Sequence, residues 1–203
     1  MFDRLAGNAA KIVFPAAVFS VPGARETVYL TFDDGPVANV TPQILDILKA
    51  KEVKATFFCL GENVKKNPAI FERIIKEGHR LGLHGYKHLN GYKTGRHAYL
   101  QNVIKGSEWI ASDLFRPPYG RITPKQYQLL KDRYRIVFWS LMSYDYHSQN
   151  TLEKCLDNLK KKTKAGDIVV FHDNEKVRLN SVSLLSDYID FCRAQNFFFG
   201  VID

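Results

Sequence analysis

Short β-rich runs alternate with helical patterns along nearly the whole chain, and this most constrains the fold. The runs are Thr27 to Phe32, Val53 to Cys59, Arg80 to His84, Leu114 to Arg116, Tyr134 to Ser140, Asp167 to His172 and Phe197 to Val201. Thr41-Pro42, Asn67-Pro68 and Thr123-Pro124 each place a capping residue before a proline, and Gly78 and Gly166 mark helix ends. Apolar stripes cover one helix face at Leu100, Val103, Ile104, Ile110 and Ala111. They recur at Leu152, Cys155, Leu156 and Leu159, and at Leu185, Tyr188, Ile189 and Cys192. Strands alternating with helices predict right-handed crossovers and a parallel sheet, either doubly wound or curled into a barrel.

Polar groups separate these two architectures. Asp33 and Asp34 follow the first run, His84 and His88 the third, Arg116 the fourth, Ser140 and Asp145 the fifth, and His172 the sixth. An open sheet gathers ligand groups mainly at one switch point, whereas every strand of a barrel delivers to one mouth. The expectation is an α/β fold, a distorted TIM-like (β/α) barrel of seven strands whose wall is gapped where an eighth unit is missing.

At 203 residues, 45% of them hydrophobic, such a domain buries enough apolar surface to fold without staples. Cys59, Cys155 and Cys192 lack the spacing of a disulfide framework or thiolate metal site, and the last two fall on helix stripes as small hydrophobes. The net charge of +8 suits nucleic acid, an anionic membrane surface or an acidic polymer. Its densest run, Lys160 to Lys162 with Lys164, belongs at a helix end as a solvated face. No nucleic-acid-binding signature is present, and no nucleic-acid partner is expected. Ile12 to Val21, followed by Pro22-Gly23-Ala24, is similar to a short signal segment with its cleavage site, but Pro15 interrupts it and it is too short to span a bilayer. Residues 1–26 are therefore expected to be an arm packed on a catalytic domain of residues 27–203, with no transmembrane segment. The compartment, cytoplasmic or cell-envelope, stays open.

Adjacent carboxylates at a strand end, Asp33-Asp34, must point in different directions, so one can ligate a metal while the other works on a water. His84 and His88 have HxxxH spacing, which on a helical turn sets both imidazoles on one face. With an aspartate they form a His₂-carboxylate set that leaves positions open, as catalytic sites require. His172, with Asp145 to stabilise its protonated form, can act as a general acid. Arg116, fixed by Pro117-Pro118-Tyr119-Gly120, can hold a carboxylate such as Asp33 and aim a backbone N–H at an oxyanion. These parts make a metal-assisted hydrolase that needs no Ser or Cys nucleophile.

The same residues resemble the NodB-homology polysaccharide deacetylases, carbohydrate esterase family four. Thr31-Phe32-Asp33-Asp34-Gly35-Pro36 is similar to the family's first motif, His84 to His88 to its second and Arg116-Pro117-Pro118-Tyr119-Gly120 to its third. Trp139 to Tyr146 and Val170-Phe171-His172 resemble the fourth and fifth, so the likeness runs over residues 27 to 201. It implies Asp33 as general base, His172 as general acid tuned by Asp145, and Arg116 orienting Asp33. It implies Asp34, His84 and His88 as ligands of a divalent metal, zinc foremost, with cobalt or nickel as alternatives. It further implies the Tyr119 N–H at the oxyanion, Val170 against the acetyl methyl and Tyr146 in the substrate groove. The implied substrate is an acetylated amino-sugar polymer such as peptidoglycan or a chitin-like glycan, cleaved at N-acetyl or O-acetyl groups by a monomer. Tyr86, Tyr92, Tyr119, Tyr144 and Tyr146 are candidates to stack on sugar rings.

Three departures stand out. Gly85 replaces the usual Ser or Thr, which predicts a lost hydrogen bond and weaker metal binding. Tyr146 replaces the usual Trp, and Met142 stands where Asp is common. Two other readings follow: a small-amide or cyclic-ureide hydrolase with a closed pocket, and a glycan-binding module without turnover.

Overall fold

The computed structural model describes residues 10–146 and 150–203. Its strands are β1 (Thr27–Asp33), β2 (Thr56–Cys59), β3 (Arg80–Leu83), β4 (Leu114–Phe115), β5 (Arg135–Ile136), β6 (Leu141–Met142), β7 (Ile168–His172) and β8 (Phe198–Gly200). The helices are α1 (Thr41–Ala50), α2 (Gly61–Lys66), α3 (Pro68–Lys76), α4 (Arg96–Ser107), α5 (Pro124–Leu130), α6 (Leu152–Lys162) and α7 (Arg178–Ala194). Seven parallel strands in the order β5-β4-β3-β2-β1-β7-β6 curl into the expected distorted barrel. No helix among the described residues is long and apolar enough to cross a membrane.

The seven strands are not the seven runs read from the sequence. The run Tyr134 to Ser140 yields only β5, and β6 begins just beyond it at Leu141, because Arg116 Nε and Nη2 donate to the carbonyls of Val137 and Phe138, at 3.3 and 3.0 Å. Those acceptors are lost to a ladder. Ser140, expected at the mouth, lies at the opposite end, where its hydroxyl donates to Asp167 and accepts from the Ile168 N–H. The run near residue 198 is β8, which pairs with Thr27–Tyr29 on the edge that β2 occupies farther along β1.

Among the described residues β5 and β6 do not pair, and this seam is the gap in the wall. Val18 bridges Val137 on one side and Ser20 bridges Asp167 on the other. Phe14 and Phe19, both buried, stack on Phe138 at 5.7 and 4.8 Å. Residues 1–9 of the expected arm lie outside the described residues.

One face of the sheet packs against helices through buried residues such as Ile44, Leu45, Tyr99, Val103 and Leu159. The stripe Leu185, Tyr188, Ile189 and Cys192 is buried in full. On α4 the buried face runs instead through Tyr99, Asn102, Val103 and Gly106, leaving Ile104 exposed, and on α6 Leu152 is exposed. The inner face holds a second cluster, Phe58, Leu114, Val137, Ile168 and Ile202.

Strand alternation then fixes what the mouth receives. Thr31 pairs with Val170 and Asp33 with His172, so inward residues two apart on each strand rise from a packed layer to a polar one. Gly82 on β3 makes room for this layer, since a Cβ there would lie 2.3 Å from the Phe58 ring, on which the Arg116 guanidinium rests at 4.1 Å. Gly82→Ala should cost about 1–3 kcal/mol by overpacking, read from the denaturant midpoint, and an unchanged midpoint would contradict this packing.

Only one expected cap acts as such. Thr123 accepts from Gln126 N–H, and the Gln126 side chain accepts from Thr123 N–H. The Thr41 hydroxyl donates instead to Asp173 Oδ2, and the Asn67 amide donates to Pro36 O. The Thr41 hydroxyl also accepts from Val37 N–H, so both side chains are diverted to the loop after β1, with Thr41 tying it to the loop after β7. Gly78 follows the α3 C-cap in left-handed conformation, φ 76°. Gly166 lies beyond the end of α6, in a turn against Val21.

Candidate metal centre and active site

At the end of β1 the backbone turns sharply. Asp33 keeps the strand's inward direction and its Oδ1 accepts from Arg116 Nη1 at 2.7 Å. Asp34 has φ 88°, a strained value for a residue with a Cβ, and faces the two histidines instead. The adjacent carboxylates are thus given different partners.

Arg116 is fully buried, and Nη1 also donates to Thr31 Oγ1 at 2.8 Å. With the carbonyls of Val137 and Phe138 just after β5 it spends its donors on fixed acceptors. It is a buried prop for Asp33 and not a mobile cation.

The segment 84–88 is a loop and not the helical turn expected from HxxxH. Gly85 has φ 92°, and the loop brings the two imidazole centroids to 5.1 Å. His84 Nδ1 faces Arg116 O at 2.7 Å; a carbonyl only accepts, so Nδ1 carries a hydrogen and, in the neutral ring, Nε2 is the nitrogen left with a lone pair. Asp34 Oδ1 lies 3.6 Å from His84 Nε2 and 3.3 Å from His88 Nε2. That oxygen is buried without a hydrogen-bond partner, while Oδ2 accepts from Asn174 Nδ2 at 2.7 Å.

One ligand atom from each of Asp34, His84 and His88 lies within 4.8 Å of the others, a group that could hold a metal ion. The residues fit such an ion: a buried carboxylate oxygen lacks a partner, and one imidazole has its tautomer fixed. Burial, reinforced by His84, lowers the His88 pKa to about 4 against the pull of Asp34, which leaves it neutral. Asp34 is desolvated, yet the imidazoles and Asn174 keep its pKa below the usual value.

Across the mouth His172 is gripped by Asp145, whose Oδ1 lies 2.7 Å from His172 Nδ1 and whose Oδ2 accepts from His172 N–H at 2.8 Å. Burial disfavours the imidazolium, but the charge and hydrogen bond of Asp145, aided by Asp34 and Asp33, raise its pKa to about 9. Tyr146 meets the His172 ring edge-on at 5.1 Å. Tyr119, at φ 59°, places its ring 4.2 Å from that of His88.

These groups border a cleft of about 560 Å³ with Val170, Met142, Tyr144 and Trp139 in its wall. Tyr119 and Tyr146 on its rim are 56% and 45% exposed. Tyr86 is not there. It turns toward α4, where Lys105 Nζ lies 4.2 Å over its ring. Tyr92 stands near the rim under Arg121, at 5.4 Å.

Two supports are illegible in the motifs. Asp173 points away from the mouth and accepts from Gly35 N–H and the Thr41 hydroxyl, clamping the Asp33–Asp34 turn from behind. Asn102, from α4, bonds the histidine loop. Strand alternation after His172 signals the first; the second depends on a tertiary contact that no local pattern encodes.

Residues 20–134 match the family model for polysaccharide deacetylases. A peptidoglycan-N-acetylglucosamine deacetylase of Bacillus cereus is 31% identical over 191 residues, covering 91% of this chain and 90% of the relative. The deacetylase PgdA of Listeria monocytogenes is 31% identical over 213 residues, covering 98% of this chain and 44% of that longer protein. Among solved structures, the Bc1960 peptidoglycan N-acetylglucosamine deacetylase, crystallised with an N-hydroxybenzamide compound, superposes with a TM-score of 0.88. It is 34% identical, with 92% of this chain and 91% of that one covered. On this fold, these motifs and these relatives, the chain belongs to the polysaccharide deacetylases, the hydrolases of carbohydrate esterase family four.

Proposed function

We propose that this chain removes N-acetyl groups from amino sugars of a cell-wall polymer, peptidoglycan foremost, by metal-assisted hydrolysis. The observation that carries this is the flanking of the Asp34, His84 and His88 cluster by two braced pairs, Asp33 with Arg116 and Asp145 with His172. A divalent cation at that cluster, zinc or else cobalt or nickel, supplies Lewis acidity to the amide carbonyl and makes water more acidic.

The chain's own groups do the rest. Asp33, paired with and oriented by Arg116, accepts the proton of the attacking water. His172, kept protonated by Asp145, donates to the departing amine, so one water and one amide yield acetate and an amine. The N–H of Tyr119 is assigned to the carbonyl oxygen as its negative charge develops. Val170, buried beside His172 on β7, is assigned to the acetyl methyl, and Tyr146 to a sugar face.

The exposed rim of the cleft favours a polymer over a small amide or ureide. The retention of both acid and base favours turnover over simple binding. Acetate release should be measured from peptidoglycan, N-acetylated chito-oligosaccharides and a small-amide panel. Release from the glycans supports the proposal. Turnover of small amides alone, or glycan binding without acetate, contradicts it.

A further inference from the structure

The two histidines are held at a fixed spacing by a loop that has no regular structure of its own. What fixes it comes from α4. Asn102, only 9% exposed, accepts from Lys87 N–H through its amide oxygen and donates to Lys87 O through its amide nitrogen, both at 2.8 Å. Its backbone carbonyl accepts from Tyr86 N–H at 3.0 Å. One helix residue therefore makes three bonds to the link between the two imidazoles.

Two glycines allow this approach. A Cβ on Gly85, already at φ 92°, would lie 2.7 Å from Asn102 Nδ2. One turn along α4, a Cβ on Gly106 would lie 2.7 Å from Gly85 C and 2.8 Å from Tyr86 N. On the other side of the loop, Gly61 N–H and Glu62 N–H donate to the carbonyls of Gly85 and Tyr86 at 2.9 and 3.0 Å. The loop is clasped from both sides, and Asn102 is the clasp that uses a side chain.

We propose that Asn102 is a positioning residue for the metal: it sets the separation of His84 and His88 in advance and supplies the restraint that a side chain at position 85 would otherwise give. Gly85, Asn102 and Gly106 form one interlocking unit, so the weaker metal binding expected from Gly85 alone does not follow. The inference rests on Asp34, His84 and His88 being the metal ligands, and the test separates the two ideas.

Metal-free protein is titrated with Co²⁺ against a competing chelator while the visible spectrum is recorded. Wild-type protein takes up one equivalent with bands that His88→Ala abolishes, which establishes the ligands. Asn102→Ala then weakens Co²⁺ binding about 10–100-fold and alters the bands, with an unchanged circular dichroism spectrum. Asn102→Asp has the same shape; its carboxylate accepts from Lys87 N–H but has no hydrogen for Lys87 O, and its affinity falls between the two. A folded Asn102→Ala or Asn102→Asp protein with wild-type Co²⁺ affinity and spectrum overturns the role of Asn102. Failure of the wild type to take up Co²⁺, or uptake that His88→Ala leaves intact, overturns the ligand assignment and this inference with it.

Discussion

Asp33→Asn is expected to lower kcat by about 10²–10⁴, the usual worth of a positioned general base, while Co²⁺ affinity and substrate KM stay close to those of the parent. The amide keeps the shape of the carboxylate and an oxygen for Arg116 Nη1, but it cannot accept a proton. The substitution also removes the only carboxylate paired with the fully buried Arg116 among the described residues. An uncompensated buried charge costs about 3–5 kcal/mol, so denaturant unfolding should show this loss beside the kinetic one. Activity is compared per folded molecule at a temperature well below the variant's transition. Retention of more than a tenth of wild-type kcat would remove Asp33 from the base role and leave it as a partner for Arg116.

The second large effect is a movement of the pH profile. A general acid must carry its proton, and the pKa of His172 is about 9, so activity persists through neutral pH and falls as pH rises through that region. A cation at Asp34 offsets part of that carboxylate's pull and brings the wild-type limb to 9 or somewhat below. In Asp145→Asn the main charge holding the proton is gone, while the burial that opposes the imidazolium remains. The alkaline limb should then move to the ordinary histidine value of 6.5 or lower. At pH 8 the protonated fraction falls from about 90% to about 3%, a loss of about 30-fold. The profile of kcat/KM against pH for both proteins checks this. An alkaline limb at the same position in both would mean that another group donates the proton.

The barrel and the gathering of these polar residues at its mouth were legible because both are written in short-range patterns. Two-residue alternation carries Asp33, Arg116 and His172 into one layer, and the Asp33-Asp34 and His84 to His88 segments name their chemistry by residue type. Features set by partners far along the chain were not legible. The end of β5 at Ile136, well short of Ser140, follows from Arg116 taking the carbonyls of Val137 and Phe138. Thr41 and Asn67 look like caps, yet they brace the turn after β1. HxxxH suggests a helical turn, whereas Gly85 and Asn102 produce the same convergence from a loop. Tyr86 sits midway between His84 and His88 in sequence and still faces α4, because the loop turns between them.

The central claim is that acetate release depends on one cation held by Asp34, His84 and His88 and worked by Asp33 and His172. The most direct test adds zinc or cobalt in graded equivalents to chelated protein and follows acetate released from peptidoglycan. The expected result is a rise that saturates at one equivalent per chain in the wild type and is absent in His84→Ala and His88→Ala. Full release from thoroughly chelated wild-type protein, or equal release from the two histidine variants, would contradict the account.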